Sequence, residues 1–160
     1  MNNQNDISCN QLIVKQITNR KRDYIDLLLL ADEEEAMIDK YLTRGYLFVL
    51  FIDDTVVGSI VITNEGNRVY EIKNLAITSL YQRKGYGKYL INYIIDRYKH
   101  LSDKIIVGTG ESPLTVPFYE HCGFIYSHRI PNFFVDNYPE PIFEEGIQLI
   151  DMVYLKKEFY

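Results

Sequence analysis

Between an apolar, strand-like stretch and an amphipathic helix the chain reads Gln82-Arg83-Lys84-Gly85-Tyr86-Gly87-Lys88-Tyr89-Leu90. Two glycines and three cations at such a junction suit an anion. Glycine removes the Cβ that blocks close approach, and the first unpaired N–H groups of a helix, at the positive end of its dipole, favour negative charge. The expected occupant is a diphosphate. The segment lacks the three early glycines of a dinucleotide-binding βαβ unit and the Gly-Lys-Ser/Thr of a nucleotidase loop. His100, His121 and His128 show no ligand spacing with one another or with Cys9 and Cys122, so no metal is expected. Cys122 follows Tyr119 in an apolar context that points to packing rather than nucleophilic chemistry.

These residues need a scaffold, and the hydrophobic periodicity supplies one. Leu12 to Ile17 reads as a strand, Asp23 to Ala31 as a buried helix, and Met37, Ile38, Tyr41 and Leu42 recur at helical spacing up to Gly45. Tyr46 to Ile52 and Val56 to Thr63 flank Asp53-Asp54 as a hairpin, and Val69 to Ile77 is a further strand. A long helix is expected over Arg83 to His100, with Tyr86, Leu90, Tyr93, Ile94 and Tyr98 on its apolar stripe. Lys104 to Thr109 reads as a buried strand. A short helix from Ser112 to Cys122 has Pro113 in its first turn and Gly123 as its stop. Phe124 to Ile130 and Ile147 to Leu155 read as closing strands. Between them, Pro131 to Gly146 carries three prolines, three phenylalanines, a tyrosine and four acidic residues, and is expected to pack as an ordered loop. The order predicts an α/β (α+β) fold, a mixed sheet with helices on both faces and one parallel crossover from Val69 to Thr109.

Composition narrows the partners. The 160 residues, 47% hydrophobic, fit one domain spanning 1–160, with residues 1–10 a polar, flexible leader. A net charge of -5 argues against general affinity for nucleic acid or an anionic membrane. Two cysteines, no bilayer-spanning run and no apolar N-terminal signal make the reducing cytoplasm the expected compartment.

Gln82-Arg83-Lys84-Gly85-Tyr86-Gly87 after a strand, followed downstream by Phe118-Tyr119-Glu120-His121-Cys122-Gly123-Phe124, resembles the GNAT superfamily of N-acetyltransferases, in its small bacterial form. The first block matches the family pattern Gln/Arg-x-x-Gly-x-Gly/Ala and the second its Tyr-x-x-x-Gly-Phe segment. The resemblance covers nearly the whole chain and implies a mostly antiparallel sheet of about seven strands. It implies acetyl-CoA as donor, with the backbone of Arg83, Lys84, Gly85, Tyr86, Gly87 and Lys88, led in by Gln82, around the diphosphate. Leu75, Ala76 and Ile77 would pair with the pantetheine arm as though it were an added strand. Ser112 stands where many family members have an asparagine that bonds this arm; its other reading is a helix N-cap. On this reading Gly87→Val fills the phosphate site.

Acyl transfer to an amine needs a neutral nucleophile, donors for the oxyanion and a proton for the departing thiolate. An alkyl amine is neutral only about one part in 10³ to 10⁴ at pH 7, so a base is needed. The resemblance points to Glu71, on the strand that enters the glycine loop. Lys73 and Asn74 lie close by, and a bulge would decide which of the three faces the cleft. The other reading of Glu71 is an edge glutamate paired with Lys73 or Arg68. Backbone N–H groups around Leu75 to Ile77 would meet the oxyanion. Tyr119, matched directly by the second block, is the expected acid; its phenol, with a pKa near 10, stays protonated where a thiolate leaves. Its alternative is packing with Val116, Phe118 and Phe124.

The acceptor that the resemblance implies is a small-molecule or protein amine. It is expected opposite the CoA arm, between Asp32-Glu33-Glu34-Glu35 and the Pro131 to Gly146 loop with Asp136, Glu140, Glu144 and Glu145. These acids either attract a cationic amine or keep the surface soluble. Phe133, Phe134, Tyr138, Pro139 and Phe143 form either an apolar wall for the acceptor or a homodimer contact. A non-catalytic acyl-CoA-binding module, with Glu71 and Tyr119 merely packed, is the alternative function.

Overall fold

The computed structural model describes residues 11–160; the expected leader and Cys9 lie outside the described residues. Seven strands form one sheet: β1 (Leu12–Ile17), β2 (Tyr46–Ile52), β3 (Thr55–Asn64), β4 (Val69–Ile77), β5 (Lys104–Gly110), β6 (Ile125–Ile130) and β9 (Met152–Glu158). Their order is β1-β2-β3-β4-β5-β9-β6, and only β4 and β5 run parallel. The helices are α1 (Ile25–Leu28), α2 (Glu35–Leu42), α3 (Tyr86–Tyr98), α4 (Thr115–His121) and α5 (Phe133–Asn137). A separate two-strand ribbon joins β7 (Phe143–Glu144) to β8 (Ile147–Gln148).

The alternation of the central strands builds a core on each face. Phe48, Leu50, Ile60, Ile62 and Ile72 pack with Leu90, Ile91 and Ile94 of α3. Leu47, Val49 and Val61, one residue out of phase, pack with Leu28, Ile38, Tyr41 and Leu42. Full burial of such side chains contributes roughly 1.5–3 kcal/mol each, so the sheet centre is the rigid part on which a site can be held.

The sheet opens in one place. β4 pairs with β5 only from Val69↔Lys104 to Ile72↔Val107. β4 stays bonded to β3 as far as Ile77↔Gly58, and β5 to β9 as far as Gly110↔Met152. Beyond Ile72 the two strands therefore part, and Lys73 to Ile77 face a gap in the sheet with a free backbone edge. The divergence begins at a bulge. Ile62 pairs with Ile72 but Val61 with Asn74, which leaves Lys73 as the extra residue.

Several expected boundaries move. The first helix, expected over Asp23 to Ala31, is a 3₁₀ turn (Lys21–Tyr24) leading into the four residues of α1. The long helix starts at Tyr86 rather than Arg83, because Arg83 and Gly85 both have positive φ (61° and 89°). The second short helix starts at Thr115, after a turn held by Ser112. The closing strand expected over Ile147 to Leu155 is interrupted. The Asp151 carboxylate accepts the Asn132 N–H at 2.9 Å and pairs with Arg129, and the ladder begins afresh at Met152. No helix among the described residues is long and apolar enough to cross a membrane.

Candidate active site

Two cavities meet in the gap between β4 and β5. One, of about 560 Å³, is lined by Leu75 and Ile77 of β4, by Tyr81, Gln82, Arg83, Gly85, Tyr86, Gly87 and Lys88 of the glycine segment, and by Leu114, Thr115, Phe118 and Tyr119. The other, of about 330 Å³, runs along Ile72 to Ile77 and Val107 to Gly110 and is closed by Asp32, Glu33, Phe134, Tyr138, Ile142, Glu144 and Leu149. Leu75, Ile77, Gln82, Thr115 and Tyr119 line both.

The first cavity is shaped for an anion with an extended arm. Gly85 is the N-cap of α3 with φ +89°, and no side chain caps that helix end. The first N–H groups of a 13-residue helix thus remain for a ligand. A Cβ at Gly85 would meet no atom within 4 Å, so the space before it is open. Gly87 behaves differently: its missing Cβ would sit 3.2 Å from the ring of Phe118. Phe118 lines the same cavity, so a side chain at 87 would press on this ring as it entered the space expected for the phosphate. Gln82 donates to the Ile77 carbonyl at 2.9 Å and ties the loop to the end of β4. Lys84 lines neither cavity; its ammonium lies 5.7 Å from the centre of the Tyr81 ring.

Ala76 lines the second cavity, so the β4 edge from Leu75 to Ile77 reaches from one chamber to the other. Ser112 stands apart. It is 4% exposed, and its Oγ accepts the N–H groups of Leu114 and Thr115 at 3.2 and 3.3 Å. The hydroxyl is engaged in the turn before α4, the N-cap-like alternative. Ser112→Ala is expected to cost about 1 kcal/mol of stability while CoA affinity in calorimetry stays within twofold; a tenfold loss of affinity would return Ser112 to the ligand.

Tyr119 is 8% exposed, and its ring lies edge-on to Phe118 and Phe124. Burial, with Cys122 and Glu144 nearby, pushes its phenol above the ordinary tyrosine range. The packing reading and the cavity position therefore hold together: the ring is packed, and the residue lines both chambers. Cys122 is buried, its thiol is likewise raised by burial, and it lines neither of these cavities.

The bulge sets the faces of β4. Glu71 and Asn74, three residues apart, share the face toward α1 and α2, while Ile72 and Leu75 pack toward α3. Glu71 is 7% exposed; its carboxylate contacts the Lys73 ammonium at 3.0 Å and accepts the Tyr154 hydroxyl at 3.0 Å. Glu71 is not itself a lining residue of either chamber, whereas Lys73 lines the second. His128 stacks on the Tyr154 ring with centroids 4.7 Å apart.

Of the expected acceptor-side residues, the structure brings Asp32, Glu33, Glu144, Phe134 and Tyr138 to the second cavity. Glu35 pairs with Arg22 instead, and Phe143 is 60% exposed. Asp32 accepts the Tyr138 hydroxyl at 2.9 Å and the Glu34 N–H at 3.3 Å. Desolvation raises the Asp32 pKa, and these hydrogen bonds oppose it without cancelling it. An acid raised in the folded state favours folding when protonated, and that contribution is lost as pH rises through the folded pKa. Asp32→Asn is therefore expected to raise Tm by a few degrees at pH 7.5, with the gap closing as pH falls toward 4. An unchanged or lower Tm at pH 7.5 would remove the desolvation argument. Asn74 is the residue of the Glu71, Lys73, Asn74 trio that the bulge leaves buried on this wall, and Ile142, Leu149 and Met152, which no motif marked, line the chamber with it. No group of three or more His, Cys, Asp or Glu side chains is arranged to hold a metal among the described residues.

The sequence pattern of the acetyltransferase (GNAT) family matches residues 15–124. The chain belongs to this family. It is 39% identical over 132 residues to the uncharacterized N-acetyltransferase YvbK of Bacillus subtilis strain 168, covering 81% of this chain and 85% of that one. A GNAT family acetyltransferase from Elizabethkingia anophelis, solved with acetyl-CoA bound, superposes with a TM-score of 0.88 at 35% identity, covering 92% of this chain and 98% of that one. A Bacillus subtilis acetyltransferase solved with CoA gives a TM-score of 0.87 at 34% identity, covering 94% and 100%. For this GNAT protein, the glycine segment and Tyr119 both fall within the matched region.

Proposed function

We propose that this GNAT protein moves an acetyl group from acetyl-CoA to a primary amine by direct attack in a ternary complex. The observation that carries the reading is Tyr119 on the common wall of two chambers, which meet where β4 and β5 part. One chamber suits the donor and the other an acceptor. The acetyl-CoA bound to the Elizabethkingia relative and the CoA bound to the Bacillus relative support the same assignment.

The residues fit CoA. The uncapped α3 N-terminus and the open space before Gly85 suit a diphosphate, with Arg83 and Lys88 beside it. The free β4 edge from Leu75 to Ile77 offers backbone groups to the amides of the pantetheine arm. When bound, the thioester supplies an acetyl group activated toward nucleophiles. The backbone N–H groups of this edge meet charge developing on the carbonyl oxygen, fixed in place by the β3 ladder before reaction. As the amine nitrogen bonds to the acetyl carbon and the carbon–sulfur bond breaks, Tyr119 gives its proton to the sulfur. Glu71, whose carboxylate touches the cavity-lining Lys73, is the proposed acceptor of the amine proton, through water.

Direct attack is favoured because Cys122 is buried, protonated and outside both chambers. Initial rates measured with both substrates varied should give intersecting double-reciprocal lines. Parallel lines, with an acetylated protein trapped in the absence of amine, would sink the ternary-complex reading.

A further inference from the structure

Two residues that line the second chamber each carry a buried acceptor atom with no donor. Asn74 is 3% exposed and lines the chamber, yet its Oδ1 has no hydrogen-bond partner among the described residues, and neither has Oε2 of Glu144, another lining residue. The orientation of the Asn74 amide follows from its surroundings. Its other terminal atom lies 2.9 Å from the Leu28 carbonyl, which only accepts, so that atom is the NH₂ and the orphan is the oxygen. Leaving a buried acceptor unpaired is costly in a folded protein, and such an atom calls for a ligand or an ordered water. Both orphans accept, so the missing group donates.

The same Asn74 amide leads to a carboxylate. It donates to the Tyr41 hydroxyl at 3.0 Å, and that hydroxyl makes a long contact, 3.5 Å, with Asp32 Oδ2. Asp32 and Asn74 are thus one tyrosine oxygen apart along the chamber wall. Among the described residues, the only cation lining the chamber is Lys73, and Glu71 already neutralises it at 3.0 Å. Asp32, Glu33 and Glu144 are left in surplus.

We propose that Asn74 Oδ1 and the Asp32 carboxylate form the acceptor subsite, and that it takes a short aliphatic diamine. This rests on the acetyl-transfer reading and names its substrate class. The two positions do different work. The nitrogen that attacks must lose its proton, and a carboxylate beside it would stabilise the ammonium and oppose attack. A neutral amide oxygen holds an N–H without that penalty, so the reacting nitrogen belongs at Asn74, on the strand whose next residues flank the thioester. A second nitrogen, still an ammonium, belongs at Asp32, where it relieves the desolvated carboxylate. A monoamine can satisfy only one of the two.

The test is calorimetric titration of the CoA-saturated protein with 1,4-diaminobutane and with butylamine. The diamine is expected to bind at least tenfold more tightly. Asp32→Asn should reduce that preference to below threefold, and Asn74→Leu should weaken both amines at least tenfold, each with CoA affinity within twofold of wild type. Equal binding of the two amines, or a diamine preference that survives Asp32→Asn, overturns the proposal. Should Asn74→Leu fail to fold, Asp32→Asn, which keeps the side-chain shape, decides between the same outcomes by itself. These affinities are read without turnover: a diamine that binds as expected but is not acetylated would contradict the acetyl-transfer reading and leave the subsite standing.

Discussion

Tyr119→Phe is expected to lower kcat by about 10²-fold, near the lower end of what a positioned acid contributes because a thiolate is already a fair leaving group. Phenylalanine keeps the ring and its edge-on contacts with Phe118 and Phe124, so stability and CoA affinity should stay close to wild type. Only the proton is removed. The pH dependence sharpens this expectation. A phenol that titrated near its ordinary value of about 10 would begin to lose its acid form in alkaline assays. Burial moves the Tyr119 ionisation upward, so the acid form persists and kcat should show no falling limb from this group below pH 10. The ratio of wild-type to Tyr119→Phe rates should stay flat from pH 7 to 9. An unchanged kcat in the variant would remove Tyr119 as the acid, and the packing reading would then stand alone.

Gly85→Asn is expected to weaken CoA binding by about 10²-fold without unfolding the protein. The φ of +89° at this N-cap penalises most L-residues, but asparagine tolerates the left-handed region better than others. Its side chain would project into the open space before the glycine, where the diphosphate is proposed to lie. Gly87→Val should fail differently. A Cβ there presses on the Phe118 ring at 3.2 Å, next to Tyr119 in sequence, so the expected loss is in stability and kcat rather than selectively in CoA affinity. Calorimetry separates the two variants. Wild-type affinity in a folded Gly85→Asn protein would move the diphosphate elsewhere.

The contrast between those glycines shows where sequence reading reaches its limit. Both belong to one recognisable block, and most of the block lines a single cavity, the one proposed for the donor: Gln82, Arg83, Gly85, Tyr86, Gly87 and Lys88. That information is local, carried by a strand giving way to a helix. What each glycine does depends on partners distant in sequence, and no local pattern records that Phe118 stands over Gly87. Tyr119 stood out in the sequence for the same reason as the glycine block, since its motif is contiguous, and it lines both cavities. Glu71, Lys73 and Asn74 were not separable, because the bulge at Lys73 reverses the faces of β4 and exists only through pairing with Val61 and Ile62. The acidic cluster was visible as composition. Its division was not: Glu35 goes to Arg22, while Asp32 meets Tyr138 across a separation of 106 residues. Pro131 to Gly146 reads as an ordered loop, but α5 and the β7 strand within it are too short to leave a periodic signal.

The central claim is that the gap between β4 and β5 brings a thioester and an amine together beside Tyr119. Thiol release from acetyl-CoA, followed across a panel of primary amines with mass analysis of the products, tests it most directly. Release is expected to depend on the amine, with one acetyl group gained on its nitrogen for each thiol freed. Tight CoA binding without amine-dependent release would contradict it and leave a module that holds acyl-CoA without transferring it.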